Sequence, residues 1–167
     1  MRTKIDSKTE AWQTRLKSLL PLMGHRNWIV VADSAYPAQS NAGIETIATG
    51  ATHQQVLVKT LRAIARSSHV RVRAYLDAEL KHVPEEDAPG VNAIRHEIDR
   101  LLDGQVAREL EHEQIISKLD ASAKLFRIVV LKSTLTIPYT SVFLELDCAY
   151  WNDKAERRIR NRMQRGR

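Results

Sequence analysis

The chain has 167 residues and a mass of 19.0 kDa, enough for one domain of ordinary size. Hydrophobic residues make up 43% and charged residues 28%, with six Gly and five Pro, which excludes collagen-like, low-complexity and wholly disordered classes. The net charge of +6 is local, because residues 153–167 (DKAERRIRNRMQRGR) carry +5 and leave +1 for residues 1–152. The chain therefore reads as a single domain over 1–152 with a basic C-terminal tail over 153–167. Such a tail is more often a solvated helix end or a subunit contact than a nucleic-acid arm.

Thr9 to Leu20 carries Trp12, Leu16, Leu19 and Leu20 at helical spacing, and Pro21 stops it. Trp28 to Ala32 is a short β-branched run, read as a buried strand, and it empties into the turn-rich loop DSAYPAQSNAG. His53 to Ser67 reads as a helix with Val56, Leu57, Leu61 and Ile64 on one face, and Val70 to Leu76 alternates as a strand does. PEEDAPG breaks the chain before a helical pattern over Val91–Leu102. Glu109 to Lys124 reads as a further helix, Phe126 to Leu131 as a strand, and residues 142–146 (VFLEL) as a last strand. Strands separated by helices predict an α/β domain with helices on both faces of a sheet.

The longest apolar runs, such as IVVA and FRIVVL, fall far short of the roughly 20 residues that span a bilayer. The N-terminus, MRTKIDSKTEAW, places charges where a signal peptide places its apolar stretch, and Cys148 is the lone cysteine. A cytoplasmic protein without membrane contact or internal disulfide is expected. No GxGxxG, Walker-type loop or GxSxG is present, and His53, His69 and His96 lack HxxxH or HExxH spacing. No dinucleotide, ATP, metal or other cofactor is expected.

Ligands of such folds collect where loops leave the carboxyl ends of strands, the position of Asp33 after the first predicted strand. His25 stands just ahead of that strand, so the two residues lie at opposite strand ends, about 25 Å apart if the strand is straight. They can share a site only if the chain bends or a neighbouring subunit supplies one of them. Read alone, His25 is a capping or surface histidine as readily as a catalytic one, and Asp33 is a turn-former as readily as a ligand.

At these residues the sequence resembles the D-ribose pyranase and L-fucose mutarotase (RbsD/FucU) family. GHRNWIVVADSAYPAQS (Gly24 to Ser40) is similar to the family's opening segment, a Gly-His pair, a β-run ending in Asp and a Pro-containing loop. AYLDAELKHVPEE (Ala74 to Glu86), His112-Glu113-Gln114 and Pro138-Tyr139-Thr140-Ser141 follow in the family's order. Ser141 stands where the family usually has Asn, and the chain runs on through CAYW where the family usually ends in Gly-Val.

The resemblance implies a three-layer α/β/α fold with a mixed, mostly parallel sheet, and a cofactor-independent isomerase that interconverts ring forms or anomers of a free monosaccharide such as ribose or fucose. Opening an aldose ring removes the anomeric hydroxyl proton and protonates the ring oxygen. A histidine suits both transfers near neutral pH. The resemblance gives this catalytic role to His25, and sugar binding to Asp33, His112, Tyr139, Thr140 and Ser141. It also implies a homo-oligomer, ring-like, with sites at subunit boundaries. The three Trp and the apolar ends VFLEL and CAYW are in keeping with buried subunit contacts. The altered Tyr-Thr-Ser motif supports a second reading, a non-catalytic sugar-binding or regulatory protein whose Arg-rich tail contacts a partner or nucleic acid.

Overall fold

The computed structural model describes residues 4–103 and 107–165. Six strands form one sheet in the order β2-β5-β1-β6-β3-β4. They are β1 (Trp28–Ala32), β2 (Ile44–Ala48), β3 (Val70–Asp77), β4 (Ala107–Leu110), β5 (Ile128–Lys132) and β6 (Val142–Cys148). The helices are α1 (Lys4–Leu19), α2 (His53–Ala65), α3 (Val91–Leu101), α4 (His112–Ala123) and α5 (Asp153–Arg165). Pairs β1–β5, β2–β5 and β3–β4 are parallel, whereas β6 runs antiparallel between β1 and β3. The sheet is thus mixed and mostly parallel, as expected.

Alternation along the strands divides the interior into two layers. Ile29 and Val31 join Val129, Leu131, Leu144 and Ala74 beneath Trp12 and Leu16 of α1, Leu57 of α2 and Ile98 of α3. Trp28, Val30 and Ala32 join Val130, Phe143 and Tyr75 beneath Ile115 and Leu119 of α4. Every residue of β1 is buried, which is why WIVVA is uninterruptedly apolar. A reciprocal capping box starts α2, with the Thr52 hydroxyl accepting from Gln55 N–H and the Gln55 side chain accepting from Thr52 N–H.

On β3 the side chains Val70, Val72, Ala74 and Leu76 face the larger layer, which leaves Arg71, Arg73, Tyr75 and Asp77 along the opposite face. No helix of the described residues is long and apolar enough to cross a membrane.

Several elements depart from the sequence reading. Ile44–Ala48, to which the sequence reading assigns no element, is the edge strand β2. Its backbone reaches the sheet because Gly43 sits against α4, where a Cβ would overlap the Ala123 carbonyl oxygen. The predicted helix 109–124 begins only at His112, because 107–110 pairs with β3 as the edge strand β4. Its mostly exposed AREL sequence has too little apolar content, and no alternation, to mark a strand. Residues 153–165 of the basic segment are helical, and Asp153 of α5 reaches Arg73 of β3 at 3.4 Å.

Candidate functional site

The predicted site residues fall into two groups at the two ends of β1. At its start, the Gly24 carbonyl accepts from Asn27 N–H and closes a four-residue turn whose third residue, Arg26, has φ 75°. That left-handed backbone is uncommon for a residue with a Cβ and marks a conformation imposed by its surroundings. Arg26 N–H donates to the Leu146 carbonyl of β6, and the Arg26 guanidinium lies 4.7 Å from the centre of the Phe126 ring. The turn therefore presents His25 beside the end of β6.

There the His25 Nδ1 lies 2.8 Å from Oδ1 of Asp147. The other Asp147 oxygen accepts from Arg71 Nε at 3.1 Å, Arg71 Nη2 at 2.7 Å and Arg73 Nη2 at 2.8 Å. Burial pushes the Asp147 carboxyl up, but bonds from Arg71, His25 and the Cys148 N–H, with the charge of Arg73, outweigh it and hold the group at about 2. The His25 ring is 62% exposed and lines a cavity of about 700 Å³ with His69, Arg71, Arg73 and Trp151.

Beyond the other end of β1, Asp33 lines a pocket of about 300 Å³ with Tyr36, Asp77, His112, Tyr139 and Ser141. Asp33 Oδ1 accepts from the N–H groups of Ala35 and Tyr36, at 2.8 and 2.9 Å. The turn-forming reading of Asp33 is thus realised through one oxygen, while Oδ2 is the oxygen able to serve a ligand. His112 opens α4. Its backbone N–H donates to the Glu79 carboxylate and its Nδ1 lies 3.0 Å from Oδ1 of Asp77. The Tyr139 ring stands edge-on to the His112 ring at 5.8 Å, carried by a residue with φ 58°.

Arg26 and Tyr139 are the non-glycine residues of the described chain with positive φ, and each adjoins one group of predicted site residues. Burial pushes the Asp77 carboxyl up to about 6, against the bond and charge of His112, with the carboxylates of Glu79 and Asp33 adding to the rise. Burial likewise raises the Tyr36 phenol to about 12, with help from Asp120, Asp77 and Asp33.

Asp33, His112, Tyr139 and Ser141 are thus brought together, and His25 is not among them. Thr140 is placed otherwise than expected: its side chain is fully buried and its hydroxyl donates to the Ile137 carbonyl at 2.8 Å, away from the pocket. Asp77 and Asp147 are the residues that sequence reasoning missed. Each is a buried acidic residue at or next to the end of its strand, where a charge is seldom buried without a partner. Among the described residues no cluster of three or more His, Cys, Asp or Glu is placed to hold a metal.

Residues 7–147 match the family described as "RbsD / FucU transport protein family". Among solved structures, Bacillus subtilis RbsD complexed with D-ribose is similar with a TM-score of 0.56 at 20% identity, over 80% of this chain and 91% of that one. The fucose mutarotase of Streptococcus pneumoniae in complex with L-fucose gives 0.54 at 22% identity, over 79% and 89%. FucU from Bifidobacterium longum gives 0.54 at 18%, over 80% and 92%. These likenesses carry the fold. No curated protein matches the chain.

Proposed function

The chain belongs to the RbsD / FucU transport protein family, and on that premise we propose that it is a cofactor-independent sugar mutarotase or pyranase acting on a free monosaccharide by acid–base catalysis. The observation that carries this reading is the convergence of Asp33, His112, Tyr139 and Ser141, from three separate segments, on one pocket. Oδ2 of Asp33 and the hydroxyls of Tyr139 and Ser141 offer the acceptors and donors that a polyol needs, and the Tyr139 ring offers a face for sugar C–H groups. The relatives whose structures hold D-ribose and L-fucose supply the class of ligand.

His25 is the proton-transferring group of this proposal, and it stands at the opposite end of β1 from that pocket. A second copy of the chain therefore has to bring its own His25 to the Asp33 pocket, in a closed homo-oligomer. Saturation-transfer NMR on free ribose and fucose tests the function directly. Exchange between anomers or ring forms faster than in buffer is expected, and its absence for every sugar that binds would leave only a binding protein. That second reading draws on Ser141, which replaces a side-chain amide, and on the inward-turned Thr140 hydroxyl.

A further inference from the structure

We propose that Asp147 is a positioning residue that grips His25 through Nδ1 and so makes Nε2 the nitrogen that exchanges protons with the sugar. For the reaction served, this rests on the isomerase reading above. For the grip itself it rests on geometry.

An ionised carboxylate can only accept, so the 2.8 Å contact requires the hydrogen to sit on Nδ1, and the neutral ring then keeps its lone pair on Nε2. The carboxylate is fixed in turn. Arg71 lies directly across the β3–β6 ladder from Asp147, and Arg71 with Arg73 directs three N–H groups onto Oδ2, leaving Oδ1 to His25. Burying a charge is costly unless it is paired, and here the pairing is complete on one side of the carboxylate. Arg73 also reaches Asp153 of α5, and the neighbouring Glu145 accepts from the Tyr75 hydroxyl. The His25 main chain is held independently by the turn containing left-handed Arg26. Backbone and ring are therefore both immobilised, although the outer edge of the ring is exposed.

The proton count closes without Asp147 giving or taking one. Nε2 accepts the anomeric hydroxyl proton as C1=O forms. The C1–O5 bond breaks, and O5 takes a proton from a general acid or water. On reclosure O5 loses that proton as it attacks C1, and the imidazolium returns its own to the new anomeric oxygen. Throughout, the hydrogen stays on Nδ1 and is donated to the Asp147 carboxylate, whose charge stabilises the imidazolium.

Asp147→Asn is the informative variant. The arginine N–H groups keep the amide oxygen, so the amide NH2 faces His25, donates into Nδ1 and moves the ring hydrogen to Nε2. A tautomer so reversed cannot accept the sugar proton. The experiment is a two-bond ¹H–¹⁵N spectrum of the labelled full chain, with His25 assigned by its disappearance in His25→Ala, beside exchange rates by saturation-transfer NMR. The expected result is an Nδ1–H ring in the natural protein and an Nε2–H ring in Asp147→Asn, with kcat lowered roughly 100-fold and KM within about threefold. An Nε2–H ring in the natural protein, or an unaltered tautomer and kcat in the variant, overturns the proposal. If Asp147→Asn does not fold, the tautomer of the natural protein still decides. An Nδ1–H ring that reverses in the variant, in a chain that exchanges no sugar, upholds the grip and removes the isomerase reading.

Discussion

His112 Nδ1 rests 3.0 Å from an Asp77 carboxylate that is 1% exposed and whose second oxygen has no hydrogen-bond partner. His25 is tied by the same ring nitrogen to Asp147, but that carboxylate is saturated by two arginines. The two anchors thus sit in opposite electrostatic settings, and their titration directions follow: Asp77 is raised, and Asp147 is lowered. Four expectations come from this arrangement.

His25→Ala should remove catalysed anomer exchange while sugar binding and fold persist. A positioned acid–base group contributes about 10²–10⁴ in rate, and the ring is too exposed to matter for packing. Saturation-transfer rates and circular dichroism make the check. Exchange at the natural rate would take His25 out of the mechanism.

Asp33→Asn should weaken sugar binding more than turnover. The amide oxygen can still accept from the Ala35 and Tyr36 N–H groups, so the turn survives. What disappears is the charge offered to the ligand, a loss of about 1.5–3 kcal/mol where hydrogen bonds to a charged group go. Calorimetric titration with the sugar reads it, and an unchanged affinity would count against the role.

The two carboxylates should act on stability with opposite sign. A raised carboxyl pKa means that the folded state keeps its proton longer than the unfolded one. Asp77 therefore costs stability as pH rises from about 4 to about 6, on the order of 2–3 kcal/mol. Asp147, lowered to about 2, contributes stability above about pH 4 and loses it as pH falls toward 2. Urea unfolding of Asp77→Asn should show a gain over the natural protein at pH 7 that shrinks at pH 4. A loss at pH 7 would mean that the His112 contact outweighs the burial cost.

The protein should be a closed homo-oligomer, since the His25 cavity and the Asp33 pocket lie at different ends of one strand. Light scattering at micromolar concentration decides. A single species near the 19.0 kDa chain mass that still turns over sugar would show that no second copy is needed.

Much of the α/β layout was legible, because β1 and β5 are buried on both sides and α2 carries a clear apolar stripe. The edge strands were not. β2 is half-buried and β4 mostly exposed, so neither needs the apolar run that marks a central strand. The predicted strands also stopped at Leu76 and Leu146, one residue short of Asp77 and Asp147. An acidic residue ended each pattern, although in the fold it is the last paired or nearly last residue of the strand. Hydropathy sees the cost of burying a carboxylate and is blind to the histidine or arginine that offsets it. The grouping of Asp33, His112 and Tyr139 depends on contacts distant in sequence, and only the family resemblance anticipated it.

Strand β3 carries Arg71 and Asp77 on the same face, one beneath each anchored histidine. Because strand side chains alternate, inserting or deleting a single residue near Val72 would turn one end of that face inward relative to the other. The two histidines consequently cannot drift apart in evolution by small length changes within β3. A related chain that keeps both anchored histidines should therefore hold the six-residue interval between Arg71 and Asp77 fixed.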